Sequence, residues 1–187
     1  MFCRPFTQGV PLMSAEDLSI PEDNRILYFR RDRDMYRFLS HFHPAPVHLD
    51  GETSPTVEHY YQTQKSFDPA YREAIRGAIS PGMAKRLAAP PQAPRKFSGQ
   101  SWFRKHHALP RPDWHEVKLE IMRRADRAKF TQNPDLAAML MATGDAALVE
   151  DSSGEPYWST GPDGRGENWA GRLLMEIREE LRARGRG

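Results

Sequence analysis

The sequence predicts an α+β fold, a single helix-dominated domain with a small β-sheet. Three observations lead there. The chain has 187 residues, enough for one core and short for two. Helix-start signals recur at Ser54-Pro55, Asp68-Pro69, Ser80-Pro81 and Asn133-Pro134. Each pairs a capping side chain with a proline whose missing N–H is not needed at the first helical position. Strand-like runs, by contrast, are few and short.

Residues 1–24 contain Pro5, Pro11 and Pro21 and no periodicity, and are expected to form a flexible leader ahead of one domain over 25–184. Arg25 to Arg30 has the bulky composition of a short strand. Pro46 to Gly51 reads as a second strand entering an Asp-Gly turn, with Glu52 and Thr53 starting the return. Ser54-Pro55 then opens the central helix. Within it Glu58, Tyr61, Gln62 and Lys65 fall at i, i+3, i+4 and i+7 and share one face. Phe38, Leu39 and Phe42 before it and Phe67 after it place this helix inside the domain. A polar face turned inward must find partners, because buried unpaired groups are costly; a ligand could supply them. The alternative is a solvated stripe.

Two more helices are expected, from Asp68-Pro69 to about Ala78 and from Ser80-Pro81 to about Ala88. Residues 89–112 form an irregular insertion, with Pro90, Pro91, Pro94, Pro110 and Pro112 excluding a long helix. Its Arg95, Lys96, Arg104, Lys105 and Arg111 are interleaved with Phe97, Trp102 and Phe103, a composition suited to phosphates and bases. A surface insertion without a ligand is the plain alternative. Asp113 caps a helix to about Thr131 whose Trp114, Val117, Ile121 and Ala125 form an apolar face. Asn133-Pro134 starts another, which Gly144 ends. Ala147 to Glu150 reads as a buried strand, residues 151–167 as a second site loop, and Asn168 as the cap of a final helix with Leu173, Leu174, Ile177 and Leu181 in the core.

Hydrophobic residues make up 39% of the chain and charged residues 28%, with a net charge of +2, which permits phosphate-bearing partners without requiring nucleic acid. The single cysteine, Cys3, excludes an internal disulfide and a thiolate metal cluster. No apolar signal core or membrane-length window is visible, so the expected compartment is cytoplasmic. His41-x-His43 and His106-His107 lack further ligands at metal-site spacing, and no Walker loop or dinucleotide fingerprint is present. No metal and no cofactor are expected. Gly164-Arg165-Gly166, just ahead of the last helix, could bring backbone N–H groups to a phosphate.

What remains is a set of carboxylates, aromatics and one amine. It suits cleavage of an N-glycosidic bond to ribose, in which a carboxylate stabilises positive charge on the anomeric carbon. A lysine of lowered pKa could instead attack that carbon and form a Schiff base.

Phe38-Leu39-Ser40-His41-Phe42, Thr56-Val57-Glu58-His59-Tyr60-Tyr61-Gln62-Thr63-Gln64-Lys65, Ala128-Lys129-Phe130-Thr131-Gln132-Asn133-Pro134, Leu148-Val149-Glu150, Tyr157-Trp158, Gly164-Arg165-Gly166-Glu167-Asn168 and Leu173-Leu174-Met175 resemble, in order and spacing, the NADAR (YbiA-like) family. The resemblance runs from about Ile26 to Leu181. It implies a YbiA-like fold and an N-glycosidase associated with NAD and ADP-ribose metabolism. It implies catalytic roles for Glu58, Lys65 and Glu155, the last standing where Asp is usual, and a functional role for Trp114. His41 stands where the family usually has Asn. Beside these, Tyr61, Gln62, His59, Ser40, Trp158, Gly164, Gly166 and Asn168 are expected to contact the substrate.

Two substrates are implied: ADP-ribosylated guanine in nucleic acid, or a phosphorylated ribosylamino-pyrimidine intermediate of riboflavin biosynthesis. The basic, aromatic insertion leans the reading toward the first, with nucleic acid as candidate partner and no membrane. A non-catalytic ADP-ribose or nucleic-acid reader is the competing class; the acids and the lysine together argue against it.

Overall fold

The computed structural model describes residues 22–28, 34–94 and 99–185. The leader expected over 1–24 lies almost wholly outside them. Among the described residues seven α-helices surround two two-stranded sheets.

The first strand, β1 (Arg25–Tyr28), is followed by a 3-10 helix at Asp34–Leu39. Strands β2 (Val47–Leu49) and β3 (Glu52–Ser54) then form an antiparallel hairpin. Its Asp-Gly turn sits where expected, with φ of 54° at Asp50 and 76° at Gly51. That left-handed pair matches the twist of the strands. One small sheet ahead of the central helix was expected, and here the structure differs. β1 does not join the hairpin; it pairs in parallel with β4 (Ala147–Glu150), Tyr28 opposite Glu150. Ile26, Tyr28 and Leu148 are buried there against Phe130, Leu140, Leu174 and Ile177, so the strand takes the partner that completes this core.

Helix α1 (Val57–Thr63) begins two residues later than the Ser54-Pro55 signal suggested. Ser54 is spent as the last residue of β3, and Thr56 is the cap, its hydroxyl accepting from His59 N–H at 3.2 Å. All seven residues of α1 are buried. It packs on α2 (Pro69–Arg76), α3 (Pro81–Leu87) and α5 (Trp114–Gln132). Asp68 and Ser80 cap α2 and α3 through their side chains, as their Pro-containing signals predict. The insertion contains a short helix, α4 (Trp102–His106), whose Phe103 stacks on Tyr71 with ring centroids 4.7 Å apart.

Asp113 precedes α5 but makes no capping bond, because Arg111 holds both its oxygens, at 2.7 and 2.9 Å. Helices α6 (Pro134–Ala142) and α7 (Trp169–Arg184) close the fold. Asn168 does precede α7, in a left-handed conformation, yet its side chain caps nothing; it mends the free edge of β4. Its Oδ1 accepts from Glu150 N–H at 2.9 Å and its Nδ2 donates to Leu148 O at 3.0 Å. No helix among the described residues is long and apolar enough to cross a membrane.

Candidate functional site

A cavity of about 500 Å³ opens between α1, α3, the insertion, the start of α5 and the end of β4. Its floor is the polar face of α1. Glu58 is buried, accepts from Gln62 Nε2 at 2.8 Å, and has its backbone N–H tied to His41 O. Gln62 Oε1 is also buried and has no partner. An acceptor in that state is short of a donor that a ligand hydroxyl would provide.

Lys65 lies just past the helix. The chain tightens to i→i+3 turns after Thr63, with Gln64 N–H on Tyr61 O and Lys65 N–H on Gln62 O, which keeps Lys65 on the cavity side. Its ammonium sits 5.6 Å from the Tyr61 ring and 5.5 Å from the Trp114 ring. Among the described residues nothing hydrogen-bonds or ion-pairs with it. Burial lowers its pKa to about 8, opposed by the negative charge of Glu58 and assisted by Lys85.

The walls are aromatic. Tyr61 meets Trp114 at 4.8 Å and Trp158, edge-on, at 5.6 Å. Burial, with help from Glu58 and Glu155, pushes the Tyr61 phenol well above its ordinary pKa and keeps it protonated. Trp114 thus serves twice, packing against the core and facing the cavity. Glu155 and Ser40 also line it, Glu155 from an exposed position at the rim.

Four expected contact residues stand elsewhere. The His59 ring points away, its Nε2 on Ala78 O at 3.1 Å and its Nδ1 on the Thr56 hydroxyl at 2.8 Å. Those partners suit a neutral ring, and burial lowers its pKa accordingly. The i+1 step from Glu58 turns it roughly 100° around the helix, off the polar face. Gly164 and Gly166 offer no free N–H cradle in the cavity: Gly166 N–H donates to Thr160 O at 2.7 Å and the following Glu167 N–H to Pro156 O at 2.7 Å. Gly166 is there for space, since a Cβ would fall 2.2 Å from Ser159 O. Asn168 holds β4, as described above.

Three residues of the quoted motifs, to which the sequence assigns no role in the site, also matter here. Glu150 ends β4 with its carboxyl in the cavity, and burial raises its pKa to about 7. His41 lines the cavity with Nε2 on Asp126 Oδ2 at 3.1 Å, a buried pair that raises the His41 pKa against the effect of burial. Lys129 is fully buried and donates to Phe38 O and Ser40 O at 2.5 and 2.9 Å, holding the end of the 3-10 helix beside His41. The signal for it in the sequence is a lysine flanked by Ala128 and Phe130 in one of the quoted family motifs.

The insertion is built into the wall. Phe103, Pro110 and Arg111 face the cavity, and Arg111 N–H donates to Lys65 O at 2.8 Å. Arg104 is committed to the carbonyls of Pro91 and Ala93. Residues 95–98, with Arg95, Lys96 and Phe97, lie outside the described residues. Among the described residues no group of three or more His, Cys, Asp or Glu is placed to hold a metal.

The NADAR domain model matches residues 28–182. The chain belongs to the NADAR family. It is 41% identical over 156 residues to N-glycosidase YbiA of Escherichia coli K12, covering 83% of this chain and 88% of that one. The solution structure of E. coli YbiA superposes with a TM-score of 0.71 at 38% identity, covering 89% of each chain. A riboflavin biosynthesis protein of Vibrio vulnificus is 38% identical over 155 residues, 83% of this chain but 38% of that longer protein. The YbiA structure shares the α+β fold described above.

Proposed function

We propose that this NADAR protein is an N-glycosidase that hydrolyses a ribosyl N-glycosidic bond in the α1 cavity, with a phosphorylated ribosylamino-pyrimidine as its substrate. The reaction class is the one carried in the name of relatives about 40% identical over most of the chain. The observation that supports it best is the convergence of Glu58, Gln62 and Lys65 beneath Tyr61, Trp114 and Trp158 in a single cavity. Cleavage develops positive charge at the anomeric carbon, and the buried Glu58 carboxylate stabilises it. Gln62 Oε1 accepts from a ribose hydroxyl. The aromatic walls hold the departing base. Lys65, unpaired and lowered to about 8, has the neutral fraction needed to attack C1 of the opened sugar and form a Schiff base, which water then releases.

The small metabolite is preferred over ADP-ribosylated guanine on two grounds. Two relatives carry riboflavin biosynthesis in their names. The reading toward nucleic acid rests on the basic, aromatic composition of the insertion, and two of its five bases, Arg104 and Arg111, are engaged inside the fold. The open rim bearing Lys85 and Lys118 keeps ADP-ribosyl-guanine as the second reading, since a diphosphate has cations to meet there. Incubating purified protein with each substrate separates them. Free pyrimidine and ribose 5-phosphate are expected from the first. Release of ADP-ribose alone, from the modified guanine, would transfer the assignment to the second, and binding of both without cleavage would leave a reader.

A further inference from the structure

Glu150 is the third carboxylate of the cavity, and its setting differs from that of the other two. Glu58 accepts from Gln62, and Glu155 is exposed at the rim. The Glu150 carboxylate lines the cavity with neither hydrogen bond nor ion pair among the described residues. Its backbone, in contrast, is fixed on every side. The N–H donates to Asn168 Oδ1 at 2.9 Å, the carbonyl accepts from Thr160 N–H at 3.0 Å, and the residue is paired in the β1–β4 ladder. A rigidly held carboxyl with no donor to stabilise its anion retains a proton. The neighbouring Glu58 favours that state further, while His41 and Lys85 oppose it. Asp126 and the buried Tyr28 are the other titratable groups around it.

We infer that Glu150 is a catalytic acid, which protonates the nitrogen of the departing base. This rests on the N-glycosidase reading above but on neither substrate in particular. The bond from the anomeric carbon to nitrogen breaks with its electron pair passing to nitrogen, and the Glu150 proton goes to that same nitrogen. Water supplies the hydroxyl left on the sugar, and its second proton restores Glu150 through the solvent-connected cavity. The requirement is the same whether Lys65 or water takes the carbon, because an amine or amide base departs as a neutral molecule only once protonated. The inference also gives His41 a part: its positive charge, fixed by Asp126, keeps the acid from becoming too weak to give up its proton.

The pH dependence of kcat/KM, measured on the full chain with whichever substrate the wild type cleaves, tests it. The acid is present below its pKa of about 7 and lost above it, so Glu150 gives the wild-type rate an alkaline limb: a fall through pH 7 if water takes the carbon, and the upper side of a bell centred between 7 and 8 if neutral Lys65 takes it. Glu150→Gln should lower the rate at pH 6 by about 100-fold or more and remove the alkaline limb. His41→Asn should move the limb of the otherwise wild-type protein to higher pH. Glu150→Asp keeps a proton donor and should keep a limb at reduced rate, so it decides the matter should the Gln variant not fold. Glu150→Gln within threefold of wild type, or an unchanged alkaline limb in it, overturns the inference. Wild-type protein that cleaves neither substrate overturns the glycosidase reading and this inference with it.

Discussion

Lys65 has an amine in an aromatic box, near a carboxylate and without a hydrogen bond among the described residues. A structural lysine is held differently. Lys129, whose pKa burial also lowers to about 8, donates to two backbone carbonyls and does not line the cavity. The contrast predicts covalent chemistry at Lys65. Borohydride added during turnover should trap a sugar adduct on Lys65, identified by peptide mass spectrometry. The yield should rise from pH 6 to about 7.5 as the amine loses its proton, before loss of the Glu150 proton limits turnover. Lys65→Arg should abolish both adduct and activity, since arginine stays protonated throughout. An active Lys65→Arg protein without adduct would leave Glu58 acting on water directly.

At the scale of elements, the α1 face was legible because helical periodicity is a local property. The spacing of Glu58, Tyr61 and Gln62 sets their common direction, and Lys65, just past the helix, reaches the same side through the i→i+3 turns that follow Thr63. The start of α1 was misplaced because Ser54 and Thr56 are both competent caps, and the β3 pairing, a contact with β2, decided between them. Glu150 and the β1–β4 pairing stayed hidden for a related reason: more than a hundred residues separate the strands, and only the shared core brings them together. The insertion was read by composition alone, which does not distinguish a phosphate-gripping loop from a wall. Phe103 makes that distinction testable. Buried with Tyr71, Ile75, Ala84 and Ala88, it should cost roughly 3–5 kcal/mol on replacement by Ala. Chemical denaturation measures this; a loss near zero would mean that the insertion is not part of the core.

Over the whole molecule, three apolar clusters surround the cavity and fix its polar floor from different directions. One holds β4 and therefore Glu150, the second packs α1 on α5, and the third binds α2, α3 and the insertion together. Tyr71 ties the third to the second through its hydroxyl on Gln62 O at 2.9 Å. The groups proposed to act on the substrate thus stand on elements anchored by separate parts of the core, an arrangement that would hold their geometry during reaction. The claim on which this account turns is that the buried carboxylate of α1 performs the chemistry. Glu58→Gln keeps the shape and the helix while removing the charge. Initial rates and substrate affinity of this variant, measured beside wild type, are the most direct test. The account predicts an unchanged Kd and a rate lowered by roughly 10²–10⁴. A Glu58→Gln protein that turns over within threefold of wild type would contradict it.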